Sequence, residues 1–316
     1  MKNYDVLVVG ELNVDLILNK IDSFPALGQE ILANEMMLTL GSSSAIFASN
    51  MCVLGNRVAF AGKTGKDLFG DFVIECLADK TVDTTYIIRD PQIATGATIA
   101  LNINEERAAV TYQGAMTEFT LSDIPDELLS QSRHLHFSSV FLQPGIQADV
   151  VSLFQKARAL GLTTSFDPQW DPHNLWKLDL DALLPHVDIF LPNEPELLKL
   201  TRMESIDDAM EVLRPFPCIS VVKQGKKGST LLKNGHLLFQ PAFVNNQVVD
   251  CIGAGDSLAA GFVHEYLKDS PLEVCQNIGN LMGALSTTAQ GGTTAFKNRE
   301  QVLDLSLNKF GFYYDS

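Results

Sequence analysis

The stretch Asp250-Cys251-Ile252-Gly253-Ala254-Gly255-Asp256 places two carboxylates at the ends of a turn of small residues. The run after it, Ser257-Leu258-Ala259-Ala260-Gly261-Phe262-Val263, is small and apolar. It reads as a buried helix with Gly253 to Asp256 at its N-terminus. The first N–H groups of a helix lack intrahelical acceptors and carry partial positive charge. Glycines let a ligand approach that backbone closely. Together these make an anion hole suited to phosphate. Asp256 would repel an anion if binding were its only task. Beside a phosphate site, a carboxylate makes sense as a base that takes a proton from an attacking hydroxyl. A glycine-rich turn whose Asp256 simply caps the helix accounts for the same residues.

Other groups carry weaker signals. Asn193 and Glu196, three apart at a helix start, share one face. They could hold a hydrated Mg²⁺, which keeps several waters and needs few protein ligands. A helix cap with Glu in the first turn is the plainer account. Asn13 and Asp15 lie on one face if the chain is extended there, and could grip vicinal hydroxyls. An inward Asp15 between Val14 and Leu16 needs a partner. Gly41-Ser42-Ser43-Ser44 opens a helix and could meet a ligand through its backbone, or form an N-cap cluster. Lys223-Gln224-Gly225-Lys226-Lys227-Gly228 follows a strand and could pass beneath a nucleotide, or form a solvated turn. Asn280, in the small-residue helix Gly279 to Ala284, could border a base pocket or lie on a helix surface. The six histidines show no metal-ligand spacing and read as structural. Trp170 and Trp176 read as core residues rather than pocket walls. There is no Gly-x-x-x-x-Gly-Lys-[Ser/Thr] loop and no Gly-x-Ser-x-Gly elbow.

The elements that must position these groups alternate. Tyr4 to Gly10, Arg57 to Ala61, His134 to Ser138, Thr163 to Phe166, Ile189 to Leu191 and Cys218 to Val222 read as strands. Ser42 to Leu54, Asp67 to Leu77, Gln147 to Leu160, Leu178 to Leu184, Asp256 to Leu267 and Leu272 to Thr288 read as helices. Such alternation implies an α/β protein with a parallel sheet covered on both faces. Segments near residues 12–40 and 95–115 break it. They read as hairpins, the second turning at Asn104-Glu105-Glu106-Arg107, and could form a small separate sheet, a lid. Asp15, Asp167, Asn193 and Gly225 follow strands, and ligands of open parallel sheets bind outside the carboxyl ends of strands, so one cleft is expected.

The 46% hydrophobic and 19% charged composition is that of a globular protein. A net charge of −15 argues against nucleic acid or an anionic membrane as partner. No apolar run reaches the ~20 residues that span a bilayer. The N-terminus runs straight into a strand, without a signal-peptide pattern. The five cysteines are scattered, with no Cys-x-x-Cys pair, and read as buried thiols of a cytoplasmic protein.

From Val6 to about Phe296 the chain resembles the ribokinase-like carbohydrate kinases, or phosphofructokinase-B family. The most specific piece is Asp250-x-x-Gly-Ala-Gly-Asp256, which is similar to that family's C-terminal signature. Asp15, the Gly41 segment, Gly62 to Gly70, Thr95-Gly96, Asn193-x-x-Glu196, Gly225 and Asn280 follow in the family's order. The resemblance implies one Rossmann-like α/β kinase domain over residues 1–316 with a β-sheet lid, phosphorylating a sugar-like alcohol with ATP and Mg²⁺. It makes Asp256 the base and gives Gly253, Ala254 and Gly255 the charge developing on the phosphoryl group. Asn193 and Glu196 would organise Mg²⁺, with Glu196 acting through water. Lys223, Gly225, Gly228 and Asn280 would lie along the nucleotide, and Asn13, Asp15, Gly41 and Ser42 would face substrate. Many members use a monovalent cation such as K⁺. The matching region here is Asp250, Ile252, Ser286, Ala289, Gly291 and Ala295. An apolar lid face could pair with another lid, giving a homodimer.

The chain also departs from the family pattern. Ser42 replaces a glycine, Ile46 stands where a substrate-binding Asn is frequent, Cys251 replaces Thr, and Asp167-Pro168-Gln169-Trp170 lacks an Asn-x-Arg. The missing Arg weakens an anionic acceptor. A sugar kinase is the leading expectation. A nucleoside kinase is second, because Ile46, Phe47 and Trp170 could favour a base. A non-catalytic sugar-binding protein on the same fold is third.

Overall fold

The computed structural model describes residues 2–103 and 106–314. Its strands are β1 (Tyr4–Val9), β2 (Asn13–Ile21), β3 (Ala33–Leu40), β4 (Val58–Gly65), β5 (Ile87–Asp90), β6 (Gly96–Ile103), β7 (Glu106–Tyr112), β8 (Ser132–Ser138), β9 (Thr163–Asp167), β10 (Ile189–Phe190), β11 (Ile219–Lys223), β12 (Gly228–Lys233) and β13 (His236–Pro241). Nine form one sheet in the order β13-β12-β11-β10-β9-β8-β1-β4-β5. Pairing is parallel from β5 to β11, and the β12–β13 hairpin adds an antiparallel edge.

The continuous apolar run in β1 follows from burial on both faces. Leu7 and Val9 enter one core, beneath the helices Val150–Ala159, Glu194–Thr201 and Ile206–Leu213. Val6 and Val8 enter the other, beneath Ser43–Val53, Leu68–Asp79, Ala254–Leu267 and Leu272–Ser286. The last two helices touch closely. A Cβ on Gly261 would fall 2.6 Å from Met282 Cγ, so the small-residue pattern is a packing requirement there. The helix expected over Gln147 to Leu160 is interrupted, with Pro144–Gln147 and Val150–Ala159 separated by Ala148 and Asp149.

The four remaining strands form a second sheet, β3-β2-β6-β7. Its members are the segments that break the alternation, and β6 and β7 do pair as a hairpin. The expected turn there lies partly outside the described residues. Side chains alternate between the sheet's faces. Asn13, Asp15, Thr39 and Thr98 share the buried face with Ile17 and Ala100. Met36, Leu38, Ile99, Val110 and Tyr112 share the other face and are exposed.

Candidate active site

Gly253 is the N-cap of helix Ala254–Leu267, with φ 73°. Glycine is needed there twice over: the backbone is left-handed, and a Cβ would lie 2.5 Å from Gly292 Cα. The Ala254 N–H turns back to the Cys251 carbonyl at 3.3 Å. Those of Gly255 and Asp256 have no acceptor among the described residues and form the open end of the helix.

Two cavities meet at this turn. One, about 460 Å³, lies under the buried face of the small sheet and is lined by Asn13, Asp15, Ile46, Gln169, Trp170 and Asp256 among others. The second, about 290 Å³, runs from Gly255 towards Asn280. Lys223, Gly225, Cys251 and Gly255 line both. A larger, shallow depression of about 790 Å³ lies beside Lys2, Arg57 and Arg133 at the opposite end of the strands. Its arginines are tied to Asp5, and it has no comparable constellation among the described residues.

Asp256 is buried, and Gln169 Nε2 donates to its Oδ1 at 3.0 Å. Burial, then the charge of Asp167, raise its carboxyl to about 7, against the pull of Lys223. Asp167 ends β9 and Lys223 ends β11. Lys223 Nζ donates to Asp167 Oδ2 at 2.6 Å, both side chains being out of water. Burial alone would lower the Lys223 ammonium, but Asp167 and Glu196 hold it above its ordinary value. A Cβ on Gly255 would be 3.4 Å from Lys223 Nζ, so this charge lies alongside the glycine turn.

Asn193 and Glu196 form a capping box on helix Glu194–Thr201. Asn193 Oδ1 accepts from Glu196 N at 2.8 Å, and Glu196 Oε2 accepts from Asn193 N at 2.9 Å. The plainer reading of this pair therefore holds, but it does not exhaust Glu196. That carboxyl is buried and raised to about 7, chiefly by burial. Asp167, Glu196 and Asp256 surround the ammonium of Lys223, and Asp167 Oδ1 is buried without a hydrogen-bond partner. This surplus of carboxylate oxygen fits a hydrated divalent cation. No group of three or more His, Cys, Asp or Glu among the described residues makes a metal cage.

On the acceptor side, Asn13 Nδ2 donates to Asp15 Oδ1 at 3.0 Å and to Thr98 Oγ1 at 3.1 Å. A Cβ on Gly41 would collide with Asp15 Oδ1, so Gly41 is what lets the pair in. The Ser42 hydroxyl is spent, donating to the Glu11 carbonyl at 2.6 Å and accepting from Ala45 N at 2.9 Å. Around the proposed cation region, Asp250 accepts from Ile252 N and Gly291 N, and Ser286 Oγ donates to the Ile252 carbonyl.

Several expectations are corrected. Cys251 is exposed, not buried, and lines both cavities. Trp170 is half exposed on a cavity wall, whereas Trp176 packs on Phe141 in the core. Asn280, read either as bordering a pocket or as lying on a helix surface, is buried and borders the second cavity. Asp15 lies within a strand of the small sheet, not beyond the carboxyl end of a main-sheet strand. Sequence reasoning missed Gln169 and Glu11. Gln169, at φ 60°, sits two residues beyond a strand end already marked by Asp167. Glu11 follows β1 and is buried among Ser44 and Ser139, which donate to it.

A mainly parallel sheet with a small second sheet over one cleft defines a ribokinase-like fold. The model of the pfkB family of carbohydrate kinases matches residues 3–299, and the chain belongs to that family. Deoxyribokinase of Salmonella typhi is 27% identical over 314 residues, covering 96% of this chain and all of the relative. The structure of adenosine kinase from Sinorhizobium meliloti superposes with a TM-score of 0.81 at 27% identity, covering 92% of this chain and 95% of the other. A putative ribokinase II from E. coli, in complex with ATP and Mg²⁺, gives 0.82 at 22%, covering 95% and 97%.

Proposed function

We propose that this protein transfers the γ-phosphoryl group of ATP to a hydroxyl of a neutral, sugar-like alcohol. The observation that carries this reading is Asp256 on the wall of the 460 Å³ cavity, next to Gly255 and Lys223, which line both cavities, and beside open helix N–H groups. The acceptor lies in the larger cavity, its hydroxyls held by Asn13 and Asp15 over Gly41. Asp256 takes the proton as the acceptor oxygen bonds to phosphorus. The bond from phosphorus to the β,γ-bridging oxygen breaks and ADP leaves. The N–H groups of Gly255 and Asp256, with Lys223, stabilise the charge on the transferring group. Asp167 and Glu196 would hold hydrated Mg²⁺, which supplies neutralisation of the phosphate charge. The small sheet acts as a lid that excludes water, and its exposed apolar face pairs two copies.

A neutral acceptor follows from charge. Asp15 and Asp256 face the acceptor cavity, and the one cation among the described residues lining it, Lys223, is held by Asp167. A nucleoside is the second reading, favoured by Ile46 and Trp170 on the cavity wall and by the adenosine kinase likeness. The test is ADP release from Mg·ATP with pentoses, hexoses, ketoses, sugar acids and nucleosides, with Asp256→Asn alongside. One responsive neutral class, silent in the variant, supports the proposal. A responsive Asp256→Asn removes the base assignment. Ligand binding without ADP formation makes the protein a binding protein.

A further inference from the structure

Glu11 has no part in the phosphoryl transfer described above, yet it lies on the wall of the 460 Å³ cavity and is only 1% exposed. It follows β1 and reaches two other segments that wall the same cavity, the start of helix Ser43–Val53 and the turn after β8. Its Oε1 accepts from Ser139 Oγ at 2.9 Å and from Ser44 N at 3.3 Å. Its Oε2 accepts from Ser44 Oγ at 2.5 Å. Ser44 Oγ also lies 2.5 Å from Ser138 Oγ, so the hydrogen bonds run on to the end of β8. All three serines are buried. The segments approach so closely that a Cβ on Gly10 would fall 1.8 Å from Ser44 Oγ.

Both turns hold backbone that residues other than glycine avoid. Ser42 has φ 70° and Ser139 has φ 57°. Such conformations persist only where the surroundings over-determine them. Ser42 is held through the Glu11 carbonyl, and Ser139 through the Glu11 carboxylate. The residues so held face the acceptor. Ser42, Ser43 and Ser139 line its cavity, and Ser43 hydrogen-bonds the Asp256 carboxyl.

Resting on the kinase reading, we propose that Glu11 is a positioning residue for the acceptor: its carboxylate ties the Ser43–Ser44 turn to the Ser139 turn and so sets where the acceptor's hydroxyl lies against Asp256. It acts by geometry, not by charge. Glutamine at this position keeps the tie. Its oxygen accepts from Ser139 and from Ser44 N, and its amide donates to Ser44 Oγ, whose hydroxyl turns to Ser138. Alanine leaves both turns without their shared acceptor. None of these residues lines the 290 Å³ cavity, so the nucleotide side stays as it is.

The experiment uses the full chain and two readouts: kcat/KM for the acceptor that responds with Mg·ATP, and displacement of a fluorescent ATP analogue by Mg·ATP. Glu11→Ala should lower acceptor kcat/KM by about 10²-fold, the cost of a misplacement of about 1 Å, with Mg·ATP displacement unchanged. Glu11→Gln should restore most of that loss. Ser139→Ala removes one donor and keeps Glu11; it should lose less, again without change in Mg·ATP displacement, and it decides the matter if Glu11→Ala does not fold. Equal losses for acceptor and nucleotide would make Glu11 a fold residue only and overturn the proposal. So would a Glu11→Gln as poor as Glu11→Ala, which would make charge the agent, or unchanged turnover in all three variants. In each of those cases wild-type turnover stands and the kinase reading with it. A wild type that phosphorylates no acceptor overturns both.

Discussion

Replacing Lys223 by Met tests the electrostatics of the proposed site most directly. Its ammonium is the only counter-charge to buried Asp167 among the described residues, and Glu196 and Asp256 also feel it. Removing one partner of a buried pair costs about 3–5 kcal/mol, because the other charge is left uncompensated. With an m-value of about 3 kcal/mol per molar urea, the unfolding midpoint should drop by about 1–1.7 M at pH 7.5. The pH dependence has a definite sign. Without Lys223 the three carboxyls are raised further, so the native state retains protons that the unfolded state has released. Stability of the variant then falls as pH rises, and its deficit against wild type shrinks towards pH 5 as the carboxyls protonate. Asp167→Asn combined with Lys223→Met removes both charges and should recover most of the loss, giving a coupling energy of about 2 kcal/mol or more in a double-mutant cycle. A single-variant loss below about 1 kcal/mol, or additive effects, would refute the reasoning and make the pair a solvated contact.

The base assignment gives a paired prediction. With Asp256 raised to about 7, kcat/KM should fall tenfold per pH unit below that value. Asp256→Asn should lose turnover yet unfold later above pH 7. The gain should reach about 4 kcal/mol, at about 1.4 kcal/mol for each pH unit separating the native and unfolded titrations, and should be gone near pH 4. A less stable variant at pH 8 would contradict the burial argument. Gln169→Leu removes the donor 3.0 Å from Asp256 and should move the acidic limb up by about one pH unit while the fold persists. An unmoved limb would mean that Gln169 does not act on the base. Met36→Lys with Val110→Lys, on the exposed lid face, should turn a dimer into a monomer by light scattering. A monomeric wild type would end the lid-pairing proposal.

The amino-acid sequence by itself determined those parts of this protein that rest on local sterics and local hydrogen bonding. Val6 to Val9 could only be a strand buried on both faces. Gly253 marks a backbone position that a side chain would strain, and the small residues after it a helix that must pack closely. The spacing of Asn13 and Asp15 put both on one face of a strand. Asn193 and Glu196 formed the capping box that their spacing allows. Tertiary structure decided what those groups meet. Gln169 and Asp256 are 87 positions apart, Lys223 and Asp167 are 56 apart, and Glu11 and Ser139 are 128 apart. No local pattern announces such partners, because burial and charge compensation depend on which strand ends the sheet order brings together. The exposure of Cys251 and the commitment of Asn280 to backbone carbonyls follow the same logic. Residue type offers a hydrogen-bonding capacity, and only the packed neighbours decide whether it is left for a ligand.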